Sequence, residues 1–144
     1  MKLRAMEEQD VRAVANLEKV CFSDPWTEEM FTDGLRLPFF VGAVVEESGE
    51  IIAYACETVL FEDAEVLNIA VAPNYRKMGI AKMLLTHLEE RAKALGASRS
   101  LLEVRVGNTA AISLYRLFSY HEISVRKKYY EDGEDALVME KTLS

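Results

Sequence analysis

The run Val71-Ala72-Pro73-Asn74-Tyr75-Arg76-Lys77-Met78-Gly79-Ile80-Ala81-Lys82-Met83-Leu84-Leu85 carries the plainest chemistry in the chain. It reads as the end of a strand, a basic turn with one glycine, and the start of an amphipathic helix. The first N–H groups of a helix have no backbone partners, and the helix dipole places partial positive charge on them. A phosphate docks readily at such a terminus. Arg76, Lys77 and Lys82 add formal positive charge around the turn, and Gly79 lets a ligand come close to the backbone. The expected ligand therefore carries phosphate.

The motifs that mark other phosphate ligands are missing. A P-loop needs G-x-x-x-x-G-K-[ST], and a dinucleotide fold needs G-x-G-x-x-G followed by an acidic residue. Kinase signatures are absent as well. The phosphate ligand that suits a strand, basic turn and helix of this form is coenzyme A. The rest of the composition narrows the setting. The chain has 144 residues, half of them hydrophobic, which suits one domain spanning residues 1–144. A net charge of −7 argues against direct nucleic-acid binding and favours a basic partner. Cys21 and Cys56 lie far apart in apolar surroundings and read as free thiols of a reducing cytoplasm. His87 and His121 are the only histidines, and no metal-ligand spacing exists, so no metal is expected. No apolar run has the length of a membrane span, and no signal-peptide core is visible. A cytoplasmic protein acting away from membranes, as a monomer or weak homodimer, is expected.

Positioning a helix terminus requires a scaffold, and the chain alternates strand and helix signals in the manner of an α/β (α+β) domain. Lys2 to Ala5 reads as a strand. Val11, Val14, Leu17 and Cys21 recur at helical spacing within Glu8 to Cys21. Pro25 breaks that helix, Thr27 can cap a second one ending near Gly34, and Trp26 with Phe31 fits a hydrophobic staple. Phe39 to Glu46, Ile51 to Leu60 and Glu65 to Ala72 read as three strands of an antiparallel meander. The longest helix is predicted from Arg76 to Leu95, ending at Gly96. The strand Leu101 to Arg105 beyond it should lie parallel to the strand before it. Asn108 begins a short helix to about Phe118. Strands at Glu122 to Lys128 and Ala136 to Lys141 flank a polar turn, Glu131 to Asp135.

These residues resemble a known family. Arg76-Lys77-Met78-Gly79-Ile80-Ala81 matches the R/Q-x-x-G-x-G/A signature of the GCN5-related N-acetyltransferases (GNAT), and the order of strands and helices matches over the whole chain. The resemblance implies a mixed sheet of about seven strands with about four helices. It also implies a parallel pair of strands splayed around acetyl-CoA. The residues Arg76, Lys77, Met78, Gly79, Ile80, Ala81 and Lys82 would then hold the pyrophosphate. The backbone of Ile69, Ala70 and Val71 would bond the pantetheine arm, and a backbone N–H there would face the developing oxyanion. Further blocks resemble the RimI-type ribosomal-protein alanine acetyltransferases within that family. They are Phe22-Ser23-x-Pro25-Trp26, Asn68-Ile69-Ala70-Val71, Leu102-Glu103-Val104-Arg105 with Asn108, Ala111, Leu114 and Tyr115, and Tyr129-Tyr130 followed by Glu134-Asp135-Ala136. The implied acceptor is the basic N-terminal segment of a small-subunit ribosomal protein, acetylated on its alanine α-amine.

Acetyl transfer to an amine needs a base, an oxyanion donor and an acid for the leaving thiolate. Glu103, in an otherwise apolar strand, is the candidate base, and its alternative is an ion pair with Arg105. Tyr115, two turns beyond Asn108 on the same helix face, is the candidate acid; otherwise it packs with Leu114 and Phe118. Asn108 resembles the family's CoA-contacting asparagine and equally reads as a helix cap. Trp26, Tyr129 and Tyr130 are candidates for the peptide side, with the staple and a solvated hairpin as their plain alternatives. The acids Glu131, Asp132, Glu134 and Asp135 could draw a basic segment. A GNAT enzyme acting on a small amine or protein lysine, and an acyl-CoA binder without turnover, are the alternative functions.

Two departures from the family pattern carry expectations. Phe118-Ser119-Tyr120 stands where a glycine and phenylalanine are usual, which asks Ser119 to take a glycine-like turn conformation. Gly107 stands where serine is common, which predicts a looser turn.

Overall fold

The computed structural model describes residues 1–144. Strand β1 (Lys2–Ala5) leads through a short 3-10 turn into helix α1 (Val11–Cys21), and α2 (Glu28–Leu35) follows. Strands β2 (Phe40–Glu47), β3 (Glu50–Leu60) and β4 (Asp63–Val71) form the expected antiparallel meander. Helix α3 (Ile80–Ala94), strand β5 (Arg99–Arg105), helix α4 (Thr109–Leu117) and strands β6 (His121–Arg126) and β7 (Ala136–Thr142) complete the chain. The seven strands make one mixed sheet in the order β1-β2-β3-β4-β5-β7-β6, in which β4 and β5 are the parallel pair.

Local signals explain most of the elements. The Thr27 hydroxyl accepts from the Met30 N–H at 3.2 Å, and the Trp26 and Phe31 rings sit 5.2 Å apart, so cap and staple both form at the start of α2. Side chains alternate across β3. Tyr54 and Cys56 join Val14, Leu17 and Phe31 beneath α1 and α2, whereas Ala53 and Ala55 join Leu84, Leu88 and Leu102 beneath α3. The sheet is thus covered on both faces, and small residues on β3 let α3 pack close.

Two places bear on the site. Helix α3 begins at Ile80, not at Arg76. Arg76 is extended with ψ 157°, and Lys77 and Gly79 have φ of 64° and 82°, values that a right-handed helix excludes. The basic turn is therefore a loop that delivers the chain to the helix N-terminus. The second place is β4. Cys56 pairs with Asn68 but Glu57 pairs with Val66, so Leu67 is an extra residue, a bulge. Parallel pairing with β5 covers only Asp63 to Val66 against Arg99 to Leu102. Beyond that point β4 stays with β3 and β5 stays with β7, and a gap opens between them.

Ser119 adopts the glycine-like conformation, with φ 72°. The turn around it is closed by the Tyr120 N–H donating to the Tyr115 carbonyl at 2.9 Å. The Tyr120 hydroxyl, absent from a phenylalanine, bonds the Ser100 hydroxyl at 2.6 Å in the core. Ser119→Gly is expected to raise stability by about 1 kcal/mol, read from chemical denaturation, because it relieves the left-handed strain.

Glu57 is 1 % exposed, and its Oε2 has no hydrogen-bond partner. Burial pushes its pKa up to about 8; nearby Arg91 opposes this and Glu89 adds to it. Between the usual carboxylate range and that value, the folded state holds a proton that the unfolded chain has lost. Stability therefore falls as pH rises through that window. Glu57→Gln should match the parent protein near pH 5 and become more stable than it by on the order of 1 kcal/mol per pH unit toward pH 8, measured by denaturation at each pH.

Candidate active site

A cleft of about 450 Å³ occupies the gap between the diverging strands. Ile69, Ala70 and Val71 form one side, and Asn108, Leu114 and Tyr115 form the other. The loop and helix start at Arg76, Lys77, Gly79, Ile80, Ala81 and Lys82 close one end. Met78 is the exception in that predicted run: its side chain is largely exposed and does not line the cleft. Gly79 is the N-cap of α3 and has no side chain to bond the first-turn N–H groups. The Arg76 side chain folds back, its Nε donating to the Val71 carbonyl at 3.1 Å and its Nη2 lying 3.5 Å from the Cys21 sulfur. Cys21 and Phe22, at the end of α1, complete the wall. Cations and free N–H groups at one end, apolar surface in the middle and a phenol beyond it suit a ligand with a phosphate end and a long arm.

Asn108 caps α4: its Oδ1 accepts from the Ala111 N–H at 3.2 Å. It also lines the cleft, so cap and cleft position coexist. Tyr115 is 8 % exposed, and burial, reinforced by Tyr130, pushes its pKa up to about 12. Its ring meets the Tyr120 ring edge-on at 5.7 Å.

Glu103 points to the opposite face of β5 from Leu102 and Val104, which lie in the core under α3. Its Oε2 is buried and has no partner, while its Oε1 lies 3.5 Å from Arg126 Nε. The cation beside it is thus Arg126, and the expected alternative of a pair with Arg105 does not form. Arg105 instead reaches Asp132 at 2.8 Å, Glu134 at 3.0 Å and Asp24 at 3.4 Å. Tyr129 and Tyr130 stand edge to face, with ring centroids 5.1 Å apart. The Glu103 carboxylate raises the pKa of the neighbouring Tyr129 phenol. Burial raises that of Tyr130, which also feels Arg105 and Glu103. Tyr130 thus feels the Glu103 carboxylate, and Tyr115 in turn feels Tyr130. Trp26 does not line the cleft. Its ring packs on Phe31 as the staple requires.

The sequence suggested the acidic turn as bait for a basic segment. In the structure those acids are largely spent on internal bonds. Asp132 and Glu134 hold Arg105, while Asp135 lies 3.3 Å from Lys127 Nζ and accepts from the Lys128 N–H at 2.9 Å. The looser turn expected at Gly107 is not found either. Glu134 Oε2 accepts from the Gly107 N–H at 2.9 Å, and a Cβ at Gly107 would sit 2.7 Å from that oxygen. A larger residue there would have to push the end of the Glu134 side chain aside.

Sequence reasoning missed Glu18, which is 2 % exposed in α1. Its carboxylate accepts from the Trp26 N–H at 2.8 Å, from Asn68 Nδ2 at 2.9 Å and from the Tyr54 hydroxyl. One buried carboxylate thereby joins the α1–α2 loop to the strand just after the bulge. A signal existed: Glu18 follows Val14 by four residues and precedes Cys21 by three, which puts it on the buried face of the helix.

A family model described as the acetyltransferase (GNAT) family matches residues 11–120. The chain belongs to the GNAT acetyltransferase family. That family uses acetyl-CoA as its acyl donor, in keeping with the phosphate-end cleft. This GNAT acetyltransferase is 33 % identical to the [ribosomal protein bS18]-alanine N-acetyltransferase of Escherichia coli, with 99 % of this chain and 97 % of that protein aligned. It is also 33 % identical to the [ribosomal protein bS18]-alanine N-acetyltransferase of Haemophilus ducreyi, over 95 % of this chain and 97 % of that one. The crystal structure of the ribosomal-protein-S18-alanine N-acetyltransferase from Escherichia coli superposes with a TM-score of 0.91 at 32 % identity, covering 99 % of this chain and 94 % of that one.

Gly107→Ala should displace the Glu134 carboxylate from the Gly107 N–H and lower stability by about 1 kcal/mol, read as a lower midpoint in urea. An unchanged midpoint would mean that the Glu134 bond contributes nothing to the fold.

Proposed function

We propose that this GNAT acetyltransferase transfers the acetyl group of acetyl-CoA to the N-terminal alanine α-amine of ribosomal protein bS18, in the cytoplasm. The chemistry rests on one observation above all, the buried and unpartnered Oε2 of Glu103. A buried acceptor without a donor is costly, and an incoming amine supplies the missing proton. The choice of acceptor is supported by the relatives that share almost the whole chain.

On the donor side, the first-turn N–H groups of α3 with Arg76, Lys77 and Lys82 hold the pyrophosphate. The backbone of Ile69, Ala70 and Val71, freed from pairing with β5, bonds the pantetheine arm. Asn108 contacts the same arm from α4. Acetyl-CoA supplies an activated acyl group on a thioester. Glu103 takes a proton from the acceptor ammonium, directly or through a water. A backbone N–H on the unpaired half of β4 stabilises the developing oxyanion. Tyr115, protonated throughout the neutral range, gives its proton to the departing sulfur. Trp26, Tyr129 and Tyr130 border the acceptor.

The acceptor chemistry fits a single carboxylate base. An α-amine has a pKa of roughly 8, and lysine lies near 10.4. Removing the proton at pH 7 therefore costs about 1.4 kcal/mol for an N-terminus and nearly 5 for a lysine.

Glu103→Gln should lower kcat on an alanine-initiated peptide by about a hundredfold or more at pH 7, with acetyl-CoA affinity by calorimetry unchanged. Tyr115→Phe should lower kcat by about tenfold or more with the same affinity. Loss of acetyl-CoA binding in either variant would make that residue structural. Mass spectrometry showing the acetyl group only on lysine side chains or on a small amine would overturn the acceptor.

A further inference from the structure

We infer that Arg105 is a positioning residue for the acceptor, holding Tyr130 and the two loops beside Glu103 in their working arrangement. This rests on the function proposed above. Arg105 follows Glu103 by two residues on β5, so both side chains leave the same face of the sheet. Its guanidinium contacts two segments distant in sequence. From the α1–α2 loop comes Asp24, 3.4 Å from Nη2. From the β6–β7 loop come Asp132 at 2.8 Å and Glu134 at 3.0 Å, both on Nη1. The flat face of the same group lies 4.0 Å from the centroid of the Tyr130 ring.

No other cation is bonded to those three carboxylates. Arg105 is 23 % exposed, but Asp24 and Asp132 are open to solvent, so each pair is weak by itself and it is the convergence of three carboxylates on one guanidinium that orders the loops. The turn after β5 belongs to the same arrangement, because Glu134 accepts from the Gly107 N–H with one oxygen and from Arg105 with the other. The guanidinium also covers the Tyr130 ring, which feels the Glu103 carboxylate and in turn acts on Tyr115. A shift of the Tyr130 ring would change where an acceptor backbone lies relative to Glu103.

Arg105 does not line the cofactor cleft, so its influence should fall on the acceptor alone. Lysine at this position keeps the charge but has no planar fork to share among three carboxylates and an aromatic face. The test compares Arg105→Lys and Asp24→Asn with the parent enzyme, using a hexapeptide that begins with alanine and acetyl-CoA. Arg105→Lys is expected to raise the peptide KM about tenfold, with kcat within about threefold and acetyl-CoA affinity unchanged. Asp24→Asn, which loosens only one loop, should raise the peptide KM about twofold to threefold. A merely structural role would lower the melting temperature without this split between KM and kcat.

An unmoved peptide KM in Arg105→Lys, or a joint fall in kcat and acetyl-CoA affinity, overturns the inference. Should Arg105→Lys fail to fold, Asp24→Asn decides by the same criterion. If the parent enzyme acetylates no alanine-initiated peptide, the proposed function fails and takes this inference with it. If it does acetylate the peptide and the variants leave KM unmoved, this inference fails alone.

Discussion

The separation of β4 from β5 after Val66 and Leu102 is the constraint on which the site depends. Two parallel strands normally continue to exchange hydrogen bonds, and an unpaired backbone polar group away from water is costly. Here the bulge at Leu67 changes which face the following residues present. Leu67 and Asn68 both turn toward α1, where Leu67 packs in the core and Asn68 bonds Glu18. Ile69 and Val71 then pack toward the α3 side, and their backbone is left open to the gap. The buried Glu18 carboxylate is what makes that departure stable, because it satisfies donors from the strand, from β3 and from the α1–α2 loop together.

The two sides of the gap are built from different materials. The donor side is mostly backbone: a loop with two left-handed residues, an uncapped helix terminus and the freed edge of a strand. Such a surface recognises phosphate and amide groups and is indifferent to most side chains. The region proposed for the acceptor, outside the cleft lining, is made of side chains held by other side chains, namely Glu103 beside Arg126 and Tyr130 on Arg105.

Charge on the acceptor side is more organised than its composition suggests. Asp132, Glu134 and Asp135 of the β6–β7 loop are engaged with Arg105, Lys127 and the backbone. Glu103 Oε2 is the buried oxygen in this region that lacks a donor.

Much of this was legible before any coordinates. Periodicity and capping residues placed the helices and the meander, because each rests on contacts between residues close in the chain, such as Thr27 with Met30 or Trp26 with Phe31. The conformational demand on Ser119 was also readable, since a helix exit asks for it locally. The start of α3 was not: Arg76 to Gly79 has helical composition, yet the left-handed Lys77 and Gly79 keep it a loop. Nor were the partners of Arg105, Glu103 and Glu18: Asn68 lies 50 residues from Glu18, and Asp24 is farther still from Arg105. The sequence by itself determined the elements, their order and the basic turn before α3, because short-range geometry and hydrogen bonding decide those. Only the tertiary structure decided which charges are spent and which oxygen is left unpaired. Ion pairs and burial depend on what packing brings together, and spacing along the chain does not encode that.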